Sequence, residues 1–464
     1  MTVTTTNTVT TDNTVTTTDT TPGVDAGYLT GLSDTLRTDP TFRQARNAAT
    51  AADVETVTLD RDVLNSTDTS TSVKIDSWAV ADQKRSGRCW IFAGLNTLRG
   101  SVMDQTGIKD LELSQTYLHF WDKLEKANFF LNAMVELADR DISDRTVQKL
   151  LADPIEDGGQ WTMFVDLVAK YGAVPKYAMP ETRSSSDTRA MNRDLATSLR
   201  AGAARIRAGE SSAHRDTLAD VHRILTVHLG TPPESFTWQY RDSDDTFHRV
   251  GTVTPLEFAA AHLPDDLGEQ VCVVNDPRET SPYGELFTVE YLGNVIGEDG
   301  AEPVTYLNAP IDVIKDAVLS SLQDGQPVWF GCDTAAQSYR ETGVWDAHLH
   351  DYEGFYGVDL ELDKQQRLLT GESQMTHAMV FTGVDVDEDG RPVKWRVENS
   401  WGPKAADKGF WTMNDNWFDE YVFEIAVHRD RLPGTYRDVL TAADEGRVTP
   451  HVLPAWDPMG ALAR

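Results

Sequence analysis

The sequence predicts an α+β fold in which a helical half precedes a β-rich half, with a helix-and-hairpin segment inserted between them. Three observations carry this reading. Residues 90–103 form a mostly apolar run of helical length that stops near Gly107. Short runs rich in β-branched and aromatic residues gather late in the chain, around 326–331, 377–384, 393–400, 409–411 and 424–427. Between these regions, residues 181–303 show two stretches of helical Ala and Leu spacing and then an alternation of aromatic and polar residues. At 464 residues the chain is long enough for two or three structural units.

The elements follow in order. Residues 1–24 form a Thr-rich tail with little that could be buried, so it is expected to be disordered. Residues 25–180 are read as a lead-in followed by the helical half, with Cys89 in the first turn of the apolar helix and further helical pieces at 114–151. Asp157-Gly158-Gly159-Gln160 is a turn whose glycines permit close approach of another backbone. The insertion, 181–303, carries helical spacing at 191–208 and 211–229 and a hairpin pattern at 236–254. The β-rich half, 304–450, opens with a helix on which Ile311, Ile314, Val318 and Leu322 recur. Residues 451–464 close the chain as a segment rich in small apolar residues.

The chemistry lies in four residues. Gln83 stands six positions before Cys89 in Gln83-Lys84-Arg85-Ser86-Gly87-Arg88-Cys89-Trp90, and His377 and Asn399 come far downstream. A thiol is a competent nucleophile only as thiolate, and a neighbouring imidazole can hold it in that form. An Asn amide can orient the imidazole, and a Gln amide can help stabilise a developing oxyanion. His377 heads one predicted strand and Asn399 ends the next. The turn at 385–392 would set them side by side in a hairpin. A lone Cys or His in an apolar run is more often a core residue, but the agreement of all four positions points to cysteine acyl transfer. The basic residues Lys84, Arg85 and Arg88 offer a weaker second source of thiolate stabilisation.

Composition excludes other classes. The net charge is −31, from 42 basic and 73 acidic residues, which argues against a nucleic-acid partner. With Cys89 assigned to chemistry, Cys272 and Cys332 are expected to be buried, reduced thiols. No segment has the pattern of a secretory signal or membrane span, so a cytoplasmic protein with no membrane partner is expected. Two metal-like patterns are read as structural. The acidic run 385–390 has Arg396 at the position where a calcium loop needs a bidentate Glu, and His348-Leu349-His350 lacks further ligands. No metal or cofactor is expected.

The segments around Cys89, His377 and Asn399-Ser400-Trp401-Gly402 resemble the papain superfamily of cysteine peptidases. The whole chain from about Gly27, including 157–163, 170–176 and 453–463, resembles its bleomycin hydrolase and aminopeptidase C branch. Ser86 stands where secreted papain-like enzymes carry a disulfide cysteine, and Thr376 stands where many have Asp. The resemblance implies a papain-like two-subdomain fold, with a helical half and a β-barrel-like half, that trims N-terminal residues from peptides through an acyl-enzyme. It implies that Gly158 and Gly159 bind the substrate backbone, that the insertion makes subunit contacts, and that the protein is a homohexamer. It also implies that the C-terminal arm lies in the active-site cleft, with Ala463 and Arg464 at its end. An endopeptidase, a transglutaminase-like acyltransferase and a non-catalytic scaffold are the rival readings. Asn399 and the intact set of four residues disfavour the last two.

Overall fold

The computed structural model describes residues 24, 26–75, 78–297 and 303–463. The Thr-rich tail, apart from Val24, and Arg464 therefore lie outside the described residues. The chain divides into two compact units, one of residues 1–59 with 350–360 and the other of 60–349 with 361–464. The described part of the first unit is helical, with helices Ala26–Thr38, Pro40–Ala49, Val54–Thr58 and Tyr352–Tyr356. Asp39 caps the second helix by accepting from the Thr41 and Phe42 N–H groups, and Pro40 occupies the first helical position, where its missing N–H costs nothing. His350 Nδ1 lies 3.2 Å from Thr58 Oγ1, so this ring of the His348-Leu349-His350 pattern has a structural contact.

The second unit is built on a twelve-stranded mixed sheet among the described residues. Its central strand, Val328–Cys332, pairs with Val422–His428 on one side and His377–Val386 on the other, both antiparallel. Beyond His377–Val386 follow Pro392–Glu398 and Phe410–Asn414, and beyond Val422–His428 follow Gln270–Val274, Thr305–Asn308 and Leu286–Val289. The central strands are buried on both faces, which is why they read in sequence as continuous apolar runs. Trp329, Ala378 and Val380 enter one core, and Phe330, Met379 and Phe381 enter the other.

The first core packs the helices against the sheet. The helix that begins at Cys89, Cys89–Thr106, is buried without interruption from Cys89 to Asn96, so it shows little amphipathic pattern. Its 18 residues make about five turns, one more than the apolar run alone suggests. It ends at Gly107, whose φ of 71° fills the left-handed C-terminal cap. Gln115–Glu136, Trp161–Tyr171, Arg189–Arg207 and Ala213–Leu229 complete this layer. In the second core, Ile314, Val318 and Leu322 of helix Ile311–Gln323 share a cluster with Phe330, Phe381, Trp395 and Phe418. Phe381 stacks on Phe330 with centroids 3.8 Å apart.

The interval 181–303 contains the two expected helices and the hairpin, Phe236–Arg241 with Phe247–Val253. It does not end as a separate block. Strands Gln270–Val274 and Leu286–Val289 belong to the main sheet, so a boundary at 303 falls too late. Their short apolar stretches lie between loops, and only their partners across the sheet reveal where they belong. Residues 385–392 form the expected hairpin turn, in which Asp387 Oδ1 accepts from the Asp389 and Arg391 N–H groups. No helix among the described residues is long and apolar enough to cross a membrane.

One buried ion pair joins the helical layer to the sheet. Arg99 Nη2 lies 2.5 Å from Glu398 Oε1, and Asn96 Nδ2 donates to the same oxygen at 2.9 Å. Trp78 Nε1 donates to Glu398 Oε2 at 3.0 Å. Removing one member strands the other charge in the interior, which costs about 3–5 kcal/mol. Glu398→Ala is therefore expected to lower stability to urea by that order, and a loss below about 1 kcal/mol would mean that the pair is not a structural tie.

Candidate active site

Each of the four sequence-predicted residues is held by an element already described. Cys89 is the first residue of its helix, so its N–H has no intrahelical acceptor and the helix dipole favours negative charge on its sulfur. His377 begins the strand His377–Val386 and is paired across the sheet with Cys332. Asn399 follows directly on Pro392–Glu398, the neighbouring strand. His377 Nε2 lies 3.0 Å from Asn399 Oδ1, so the imidazole can donate to the amide carbonyl. Next to His377, the Ala378 N–H donates to Cys89 Sγ at 3.4 Å. The structure thus brings Cys89, His377 and Asn399 together, and all three are buried. Trp401 lies against the imidazole, with ring centroids 5.0 Å apart.

Gln83 joins this group through a contact that the sequence did not reveal. Its N–H donates to the Ser400 carbonyl at 2.8 Å, and its side-chain Oε1 accepts from the Ser400 hydroxyl. Its Nε2 donates to the Ser86 carbonyl at 2.6 Å, which uses one amide hydrogen and leaves the second. Ser86 Oγ donates back to the Gln83 carbonyl at 2.7 Å. Residues 82–83 and 400–401 thereby form one hydrogen-bonded strip, so the positions of Gln83 and Asn399 are coupled.

The electrostatics at Cys89 correct one expectation. Burial pushes the thiol up to about 12, against the opposing effect of the Ala378, Trp90 and Cys89 N–H groups. A free thiolate is thus disfavoured, and ionisation needs a base at hand. Of the nearby basic residues, Arg88 and Lys84 do not fill that role. Arg88 is buried in a bidentate pair with Glu181, at 3.0 and 2.8 Å, and Lys84 is paired with Asp82. Their charges are neutralised by these partners. Cys272 and Cys332 are also buried, reduced thiols, pushed well above the ordinary value chiefly by burial.

The glycine turn meets the C-terminal arm. The Gly159 N–H donates to the Ala463 carbonyl at 3.1 Å, and the Ala463 N–H donates to the Gly159 carbonyl at 3.3 Å. Gly159 lies so close to the Trp90 indole that a Cβ there would fall 2.4 Å from it. Gln160 Nε2 donates to the Ala461 carbonyl at 2.6 Å, and Arg278 clamps Asp457 with bonds of 3.0 and 2.8 Å. Gly158 has no hydrogen bond to the described residues of the arm; its carbonyl accepts from the buried Lys126 ammonium. Leu462 lines a cavity of about 100 Å³ beside Ile155, Met163 and Leu292. No group of three or more potential metal ligands occurs among the described residues.

This geometry accords with the comparisons. The model of the Peptidase C1-like family matches residues 24–460. The chain belongs to the Peptidase C1-like family. Human bleomycin hydrolase is 41% identical over 95% of this chain and 99% of its own length. Aminopeptidase C of Lactobacillus delbrueckii subsp. lactis is 40% identical over 93% of this chain and 96% of its own. The crystal structure of PepW from Lactobacillus rhamnosis HN001 superposes with a TM-score of 0.91 at 39% identity, covering 96% of this chain and all of that one. The papain-like α+β fold expected from the sequence is therefore the fold of this Peptidase C1-like chain.

Sequence reasoning missed three residues of the site: Ser400, Glu398 and the carboxylate of Asp157. Glu398 carried a readable signal, as a lone acid beside Asn399 at the end of an apolar strand. Ser400 and Asp157 carried none, because what they bind is distant in sequence. Gln83→Ala is expected to lower kcat by about 10²–10³, the usual effect of losing one oxyanion donor. Because Gln83 is buried and bonded to Ser86 and Ser400, a stability loss of about 1–3 kcal/mol should accompany it in thermal unfolding. Asn399→Ala should reduce kcat less than His377→Ala; the reverse order would show that the base lies elsewhere.

Proposed function

We propose that Cys89 is the nucleophile, His377 the base, Asn399 the residue that orients it and Gln83 an oxyanion donor. The chain is a cysteine aminopeptidase of the bleomycin hydrolase and aminopeptidase C type, and these residues account for its chemistry. Transfer of the Cys89 proton to His377 overcomes the cost of a buried thiolate by forming it as an ion pair. The thiolate adds to the peptide carbonyl, and the new oxyanion meets the Gln83 amide and the Cys89 N–H. His377 gives its proton to the departing amine, leaving an acyl-enzyme. Water, deprotonated by His377, then releases the acid and regenerates the thiol. The His377–Asn399 bond at 3.0 Å, with Cys89 Sγ against the Ala378 N–H, supports this assignment.

The observation that carries the exopeptidase reading is the pairing of Ala463 with Gly159. An extended substrate would take both hydrogen bonds of the same edge, and here the protein's own C-terminal arm takes them. The arm closes the cleft to longer chains on that side, and a main-chain carboxylate at its end would attract a substrate's free α-ammonium. Arg464 is in this reading turned aside or removed by the enzyme itself, leaving Ala463 as the working terminus. Gly158 contributes by shaping the turn. Deletion of residues 457–464 is expected to permit cleavage of N-acetylated peptides that the full chain rejects, read by digesting one peptide in free and acetylated forms. Continued strict rejection would remove the arm as the selectivity device.

The homohexamer and a cytoplasmic location are part of the same proposal. The acidic balance of −31 supports a protein that does not retain nucleic acid at physiological salt. Light scattering at micromolar concentration should give a mass well above the 51.5 kDa of one chain. A monomer would exclude the homohexamer.

A further inference from the structure

Asp157 is a buried carboxylate that the chemistry above does not use, yet it touches every part of the nucleophile's support. The Gly87 N–H, two residues before Cys89, donates to its Oδ2 at 3.0 Å. Its backbone carbonyl accepts from Trp90 Nε1, immediately after Cys89, at 2.7 Å. Two residues later Gly159 takes the C-terminal arm. The carboxylate is itself fixed from three directions, by the Thr188 hydroxyl, by Asn192 Nδ2 at 2.7 Å and by Lys123 Nζ at 2.8 Å. Ser86 stands where a secreted relative would have a disulfide cysteine, so this loop has no covalent staple; Asp157 spans the same neighbourhood with hydrogen bonds.

Burial opposes the charge on Asp157, but the Lys123 ammonium holds its carboxyl well below the usual carboxylate range. His119 Nε2 lies 3.9 Å from Asp157, and burial strips that imidazole of its proton by pushing it well below its ordinary value. The other charges facing this region are paired, Arg88 with Glu181 and Lys126 with Asp122. On its other side Cys89 faces the strand of His377. The negative charge of Asp157 adds to the effect of burial in raising the Cys89 thiol.

We propose that Asp157 is a positioning residue for the nucleophile, locking the Gly87–Trp90 turn to the glycine turn that receives the C-terminal arm. The proposal rests on Cys89 as the nucleophile. It gives the buried carboxylate a purpose that packing alone does not require, because replacing such an ion pair by apolar residues is often neutral or stabilising.

The test reads Cys89 directly. Asp157→Asn is nearly isosteric, keeps one acceptor for the Gly87 N–H, and leaves Lys123 unopposed. The rate of iodoacetamide labelling, followed against pH with peptide mapping of the label, is expected to shift to lower pH by about half a unit or more. Peptide turnover should fall about tenfold or more in kcat with KM little changed, as misplacement of a reacting group predicts. Lys123→Met exposes the carboxylate's charge and should move the labelling profile the opposite way. A labelling profile and kcat like wild type in Asp157→Asn would overturn the proposal. If neither variant folds, Thr188→Val removes one anchor of the carboxylate at little cost in volume; it is expected to lower kcat about threefold or more, and wild-type kcat there would overturn the proposal equally. Label appearing first on Cys272 or Cys332 would instead defeat the assignment of Cys89.

Discussion

The site depends on a buried charge pair that fastens two elements distant in sequence. Cys89 sits on a helix and His377 on a sheet, so their separation is set by how the helix docks. Asn96 and Arg99, about two and three turns along from Cys89, both reach Glu398, the residue directly before Asn399. Apolar packing alone would let the helix slide or turn by fractions of an ångström at little cost. A charge pair with three donors to one carboxylate has a single good arrangement. Specific geometry, more than net stability, is what such a pair supplies.

The segment 398–401 extends that fastening into the chemistry. Glu398 ties to the helix, Asn399 to the imidazole, Ser400 to Gln83, and Trp401 lies against His377. Four consecutive residues thus hold the Cys89 helix, His377, Gln83 and the wall of the site. Their alternating direction along an extended backbone lets neighbours serve opposite sides. A displacement of this segment would move His377 and Gln83 together, which keeps their relation to each other while changing both relative to the Cys89 sulfur.

The C-terminal arm uses main-chain hydrogen bonds for a different purpose. It binds Gly159 through its backbone, as an antiparallel strand would, while the small Ala463 side chain is buried in the core. Specific anchoring comes from farther back, where Arg278 holds Asp457 and is itself held by Asp276. The arm therefore has a rigid root and an end that imitates a peptide. In the proposed role of the arm both matter, since a loose end would be displaced by an extended substrate.

Much of this molecule was legible in its sequence. The apolar helix after Cys89, the strand at His377 and the hairpin that brings Asn399 beside it are local patterns, decided by periodicity and turn residues within a few dozen positions. The four site residues were legible for the same reason: each sits in a short string whose chemistry is distinctive. What the sequence left open was every choice made by partners far apart in the chain. The strands at 270–274 and 286–289 are too short to declare their sheet, and Arg88 looked like a source of positive charge until Glu181 was found against it. Asp157 read as part of a turn, although its carboxylate gathers groups from three elements. Burial and pairing are properties of the packed interior, where the low dielectric makes one distant partner decisive, and no local pattern encodes them.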